Sequence, residues 1–514
     1  MKGFKHIART VALLALLKGA SLAAQEDELA ALTNRLPADS VTVIGTADAP
    51  ATLEAMRPWV AALLPGPPGE EGAKLSFADM LSDLAAGFSG PLVVGITPDR
   101  TWRLIARTER TQPELFQILR KLPLPAREDE GLVAMGPQDP FGFVGVHDGL
   151  LIGAADRGAL NSLRAAPIEG QKTLLDDGDA SLLLGSDEAR QATLFFFSPR
   201  GALEEPAAGK EDLHPLAFAS LQRRMERALK QLLQADATAL CCLDVTPDGI
   251  RLTATLRLPG REGERPAASG RLKLPETWPV TLTGWGADFA SVVDWIEAGM
   301  RAFDPDVGAE FREEMAELNR DLGYDFQRDL LGNLGPEWAL GLLPAEAGGN
   351  VEWVLACGVR DRDGFIRCAE GLARLAKEPW GEKEPAGGAR RFSTRAFTVP
   401  LEIAVGHDRF LMAPSAAALQ RGLDTVERME PAHQEAAPLW ETQGVARFGG
   451  IAELMPDGED FAVLRNPLSK LPADAQVVLH VWRLPQTQMF ELSVEGITPA
   501  ALGTAAPTPL RARR

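Results

Sequence analysis

Two histidine–aspartate pairs, His147-Asp148 and His407-Asp408, are the residues whose types and spacing come nearest to acid–base or metal chemistry. A carboxylate beside an imidazole can orient the ring for proton transfer or for ligation. Sequence neighbours do not readily reach triad geometry. Both pairs also fall between strand-like runs, where Asp and Gly favour tight turns, so a turn role is expected for each. The other mature histidines, His214, His433 and His480, have no metal spacing around them. Asp361, Asp363, Gly364 and Glu370 fit part of an EF-hand register, but Val359 takes its first position. A strand-to-helix turn with Asp363 as N-cap is the better reading.

Familiar catalytic and nucleotide patterns are missing. GxSxG, SxxK, HExxH, Walker and GxGxxG arrangements do not occur. Gly201 to Lys210 ends in Gly-Lys, but Glu211 stands where a phosphate loop needs Ser or Thr. Glu313, Glu314 and Glu317 lie at helical spacing and are expected on a wet surface. No catalytic, cofactor or metal residue is assigned. Trp380, in a Gly/Pro/charged stretch, is expected to be exposed and is the one residue put forward as a ligand or partner contact. Cys241, Cys242, Cys357 and Cys368 read as small buried apolar residues, with a Cys357–Cys368 disulfide as the alternative.

These residues must be held by an architecture that repeats. Leu36-Pro37-Ala38-Asp39 leads into Val41 to Gly45 and then Ala47-Asp48; Leu274-Pro275-Glu276 leads into Val280 to Gly284 and then Ala287-Asp288. Each reads as a strand followed by a capped helix, the second with Phe289, Val292, Ile296 and Met300 at helical spacing. Phe77 to Phe88 and Phe326 to Leu334 follow as short amphipathic helices. Strand pairs and helices continue in matching order, and each half closes on a hairpin: Thr238 to Thr246 with Ile250 to Leu258, and Gln476 to Leu484 with Met489 to Ile497. The expected fold class is α+β: two diverged copies of a module with a mostly antiparallel sheet packed by helices on one face. The expected boundaries are a signal peptide over 1–24, a first module over 25–258, a linker over 259–273, a second module over 274–503 and a disordered tail over 504–514. The first module carries an extra amphipathic run through Phe218, Leu221, Met225, Leu229 and Leu232. The stretch Glu378 to Gly388 reads as a loop.

Lys2, Lys5 and Arg9 precede a short apolar run, Val11 to Leu17, and then small residues, which is the pattern of a secretory signal. Export to the periplasm or the extracellular medium is expected, with no membrane span after cleavage. At 514 residues, with 45% hydrophobic and 24% charged content, the chain has the composition of a globular protein. Its net charge of -18 argues against nucleic acid and anionic lipid as partners. An unknown protein or small molecule remains the expected partner, and no cofactor is indicated.

The signal, the Leu36-Pro37-Ala38-Asp39 start, the run GYDFQRDLLGNLGPEWALGL from Gly323 to Leu342, and the runs VHDGLLIGAADRGALNSL and GHDRFLMAPSAAALQRGL resemble bacterial exported proteins grouped as domains of unknown function. The resemblance spans most of both halves. It implies export and this architecture, and it implies no activity. The functional expectation is a non-enzymatic envelope binding or scaffold module. The alternatives are a hydrolase with a carboxylate acid/base site, recognisable by facing carboxylates in a pocket, and a carrier of apolar molecules.

Overall fold

The computed structural model describes residues 28–63, 85–99, 101–121, 126–129, 131–135, 142–164, 173–198, 238–257, 271–303, 305–344, 351–375, 377, 381–386, 388–396, 399–429, 439–455, 465–466, 468–484 and 486–501. The expected signal peptide, the tail, most of the linker, Trp380 and the run from Phe218 to Leu232 lie outside them. The described residues form two compact units. The first holds 28–198 and 238–257, with 498–501 clustering alongside it, and the second holds 271–497.

In the first unit the strands are β1 (Thr42–Thr46), β2 (Leu92–Ile96), β3 (Trp102–Arg107), β4 (Ala126–Asp129), β5 (Leu132–Met135), β6 (Gly142–His147), β7 (Leu150–Ala154), β8 (Leu194–Ser198), β9 (Thr238–Thr246) and β10 (Gly249–Arg257). Antiparallel pairing orders them β4-β5-β6-β7-β3-β2-β1-β8-β9-β10. The helices are α1 (Ala49–Leu63), α2 (Gln112–Lys121), α3 (Arg157–Arg164), α4 (Gly178–Leu184) and α5 (Asp187–Gln191).

The second unit opens with β11 (Arg271–Lys273), followed by β12 (Val280–Trp285), β13 (Leu334–Leu343), β14 (Glu352–Val359), β15 (Gly381–Ala386), β16 (Ala389–Ala396), β17 (Val399–Val405), β18 (Arg409–Ala413), β19 (Glu427–Met429), β20 (Trp440–Arg447), β21 (Gln476–Leu484) and β22 (Thr487–Glu495). Its main sheet runs β15-β16-β17-β18-β14-β13-β12-β20-β21-β22, again antiparallel throughout. Strand for strand, this is the order of the first unit. The helices are α6 (Phe289–Phe303), α7 (Pro305–Leu322), α8 (Arg362–Leu375), α9 (Ala416–Thr425) and α10 (Phe448–Leu454). The class is therefore α+β with an antiparallel sheet in each unit. Among the described residues no helix is long and apolar enough to cross a membrane.

Strand alternation builds the cores. Along β13 buried and half-buried residues alternate from Pro336 to Leu343, as a sheet covered on both faces requires. Helices indeed cover both faces of each sheet, not the single face expected. In the first unit α3 packs Leu160 and Leu163 over β6 and β7, and α4 and α5 lie over β9, so that Ala180, Leu183 and Ala189 share one core with Phe195, Leu240 and Cys242. On the opposite face α2 places Leu115 against Ala106, Val144 and Leu151. In the second unit α9 sets Ala418 and Leu419 over Val354, Ala356 and Leu411, while α8 sets Phe365 and Ile366 over Cys357 and Phe410.

Several local expectations change. Residues 381–386, read as loop, form edge strand β15, where Pro385 is tolerated because an edge leaves one backbone side unpaired. Asp361, not Asp363, caps α8: its carboxylate accepts from the Gly364 amide at 3.0 Å. The expected helix at Phe326 is a π-turn capped by Asp325 and followed by a 3-10 turn. On α6, Val292 and Ile296 are exposed, while Val293 is buried; the apolar stripe is wider than the face the core needs.

Candidate functional site

The second unit carries a small sheet-like ribbon that the strand order alone does not reveal. β11 and β19 pair with each other, Leu272 opposite Arg428. Leu272 inserts into the core beside Leu274 and Trp278. Two arginines pin the ribbon to the main sheet. Arg428 bonds Glu337 at 2.8 Å and Asp408 at 2.7 Å. Arg271 bonds Glu441 at 2.5 Å. Glu337 is 2% exposed, and among the described residues its Oε2 has no hydrogen-bond partner.

Beside the ribbon a cleft of about 360 Å³ opens over β12 and β20, a volume within the range of small-ligand sites. Its floor is one face of two paired strands. Thr283 lies opposite Gln443 and Trp285 opposite Glu441. The same face continues onto β21, where Gln443 meets His480 and Glu441 meets Trp482. Arg271 and Lys273 of β11 form the side wall.

Glu441 is the organising group. Its Oε1 accepts from the Gln443 amide at 2.8 Å and from His480 Nε2 at 2.8 Å, with that ring nitrogen protonated, and its other oxygen meets Arg271. Three donors thus satisfy a carboxylate that is only 8% exposed. His480 is in turn stacked on Trp482, with ring centroids 4.2 Å apart. The result is a fixed polar array between two tryptophans.

The corresponding face of the first unit shows how that array arises. Val93 on β2 and Ala339 on β13 hold the same place in the two sheets, each fully buried. Read outward from them, the row Thr283–Gln443–His480 corresponds to Gly45–Phe195–Cys242. In the first unit that row is apolar, and α4 and α5 lie over β9. In the second unit the connection from α9 to β20 is much shorter and carries β19 instead. The same scaffold position is thus a helix-covered core in one unit and a polar cleft in the other.

A second cavity of about 590 Å³ lies in the first unit, walled by Leu29, Leu175, Leu182, Leu184 and Phe195 with Arg190 at its rim.

The residues singled out from sequence do not converge on the cleft. His147 and Asp148 sit on the β6–β7 turn with 3.4 Å between Nε2 and Oδ2; Asp148 and Gly149 have φ of 50° and 73°, the backbone of a two-residue hairpin turn. His407-Asp408 lies on the β17–β18 turn, where Asp408 serves to hold Arg428. Glu313, Glu314 and Glu317 are exposed on α7. All four cysteines are free. Cys242 and Cys357 are buried, and Cys241 and Cys368 only partly so. Burial, aided by the Glu337 carboxylate nearby, pushes the Cys357 thiol up to about 12. Burial pushes Cys242 to about 12 as well. Neither is an active nucleophile.

No protein-family model matches the chain, and no curated protein is similar to it. Partial likeness to solved structures is limited to a low level. Crystal form I of TP0453 is 9% identical, covers 45% of this chain and 80% of that one, and has a TM-score of 0.26. Crystal form IV is 9% identical, covers 43% and 77%, and has a TM-score of 0.24.

Proposed function

We propose that the protein is an exported, non-enzymatic component of the cell envelope, periplasmic or extracellular, built from two diverged copies of one α+β unit, with its binding site in the second copy. One observation carries the binding reading. A row that is Gly45–Phe195–Cys242 under helices in one unit is Thr283–Gln443–His480 beside a cleft in the other. Among the described residues no helix covers this row, and its ordered polar side chains face an open cleft, which supports a ligand there. Copying followed by specialisation accounts for the shared strand order. Export is supported by the N-terminal pattern of Lys2, Lys5, Arg9 and the run from Val11 to Leu17, and sequencing the N-terminus of the exported chain is expected to begin near Gln25.

Glu441, the one carboxylate among the described residues lining the cleft, is tied to Arg271, His480 and Gln443. A paired-carboxylate hydrolase needs two such groups facing a substrate. Screening the purified chain against chromogenic esters, amides, glycosides and phosphate esters is therefore expected to release no product. Turnover that Glu441→Gln abolishes would overturn the non-enzymatic reading.

The apolar cavity of the first unit supports a second reading, a carrier of small apolar molecules. Saturable uptake of a nonpolar fluorescent dye, lost on Leu182→Glu, is the measurement that favours it.

A further inference from the structure

We propose that the cleft takes an organic monoanion: a carboxylate, seated at Lys273, that carries a hydroxyl or acylamino group on the neighbouring carbon. This rests on reading the cleft as a ligand site.

The cleft is polarised along its length. Thr281, Thr283 and Trp285 of β12 share one face with Val445, Gln443 and Glu441 of β20. Trp285 and Glu441 mark one end, and β11 runs beside the floor towards the other. Arg271 reaches Glu441, whereas Leu274 lies against Gly341, the strand partner of Thr281. Lys273 therefore lies towards the Thr281 end, two residues and about 6–7 Å along the strand from Arg271.

The two ends differ in how well their charges are met. Arg271, His480 and Gln443 occupy the oxygens of Glu441. Lys273 is less well met. Its ion pair with Glu276 spans 3.7 Å between exposed side chains and contributes little. Glu427, opposite it on β19, does not line the cleft. Two cations against one carboxylate give the lining a formal charge of +1, in a chain whose net charge is -18. A local positive field of this kind concentrates a monoanion. A cation would meet Arg271 and Lys273 and find the Glu441 oxygens taken. A dianion such as phosphate carries more charge than the lining offsets.

The remaining polar groups describe the body of the ligand. Gln443 turns its amide nitrogen to Glu441, so its carbonyl oxygen is left to accept. The Thr281 and Thr283 hydroxyls bond no other described residue, and each can donate to a carboxylate. One acceptor beside two donors suits a carboxylate with an O–H or N–H one carbon away. Leu274 and Val445 add apolar surface at the same end, in a cleft of about 360 Å³ that has room for an aliphatic side chain. A free acylated amino acid and the C-terminal residue of a peptide present this same chemistry.

Calorimetry on the chain from Gln25 onward tests the assignment. The probes are N-acetylleucine, 2-hydroxy-4-methylpentanoate, the peptide acetyl-Gly-Gly-Leu, uncharged N-acetylleucinamide, inorganic phosphate and a nonpolar dye. At least one of the three carboxylates is expected to bind saturably, at least tenfold more tightly than N-acetylleucinamide or phosphate. Lys273→Glu is expected to weaken it at least tenfold and Thr283→Val several-fold, while Lys273→Arg keeps most of the affinity; melting temperatures check the fold of each variant. Tighter binding of the peptide than of N-acetylleucine assigns the carboxylate to a chain end, and the reverse order assigns it to a free acid. Absence of saturable binding by all three carboxylates, or binding indifferent to Lys273→Glu, would overturn the proposal. If N-acetylleucinamide, phosphate or the dye binds instead and Thr283→Val weakens it, the cleft is a ligand site and the carboxylate assignment falls. If no probe responds to Lys273→Glu or Thr283→Val, both readings fall.

Discussion

Glu337 and Arg428 show what a buried charge does in this unit. Glu337 is enclosed where β13 meets β14, so closely that any side chain at Gly358 would collide with its carboxylate. Removing its partner strands the charge. Arg428→Ala is expected to destabilise the protein by about 2–3 kcal/mol, below the full range for a stranded buried charge because Arg428 is itself partly exposed; urea unfolding checks this. Asp408, on the same guanidinium, behaves differently. Partial burial alone would raise its pKa, but the hydrogen bond and charge of Arg428 outweigh burial and hold it below the ordinary 3.8. A carboxyl whose folded pKa is depressed adds stability above its unfolded pKa and loses it as pH falls through the folded one. Asp408→Asn is therefore expected to be less stable than the parent at neutral pH, with the gap closing as pH drops below about 4. A gap that stays constant in acid denaturation curves would show that the pair contributes nothing through its charge. None of these partners was legible in the sequence. Arg428 and Glu337 lie far apart along the chain, and a one-dimensional reading sees only the neighbouring His407 and Asp408.

At the scale of elements, period and order were readable and depth was not. The hairpin strands Thr238–Thr246 and Gln476–Leu484 follow from β-branched and apolar alternation and have the expected bounds. Of the strands around the cleft, β12 and β21 were expected and β20 was not, because it carries Glu441, Gln443 and an internal glycine in place of an apolar run. The useful signal was the alternation of Glu441, Gln443 and Val445 on one face, coupled with His480 and Trp482 two apart on the next strand. The matching starts also mislead by one residue. The sequences align Gly45 with Gly284, whereas pairing to β2 and β13 sets Gly45 against Thr283, and a one-residue slip exchanges the two faces of a strand. Gly284 has its own role, because a Cβ there would fall on the Trp338 indole. Gly284→Ala is expected to cost about 2–3 kcal/mol through overpacking. Thermal unfolding measures it, and a loss under 0.5 kcal/mol, about the level of a neutral surface change, would contradict this packing.

For the molecule as a whole, the two units share a strand order and differ in contents. Eight of the ten tryptophans follow Trp102 in the sequence and belong to the second half, so intrinsic fluorescence reports mainly on that half while far-ultraviolet circular dichroism reports on both. Arg428→Ala is expected to lower the fluorescence-detected melting midpoint more than the dichroism-detected one. Equal shifts would mean that the chain melts as one cooperative block. Fold class and the shared element order were legible because both rest on the pattern of strand and helix periods along the chain. The cleft was not, because it lies where the two units differ, and the difference is a shorter connection and a changed row of side chains rather than any motif.

The β11–β19 ribbon joins residues far apart in the second unit's sequence: Lys273 pairs with Glu427. Closing a loop that long must be compensated by contacts made elsewhere first. The ribbon, like the equally non-local β12–β20 pair, is therefore expected to assemble after the strands between its halves have paired. Since Arg271 both belongs to the ribbon and contacts Glu441, the cleft is complete only when the intervening chain is in place. A partly folded unit would lack this arrangement, and anything that binds the assembled cleft would hold the ribbon in place by mass action.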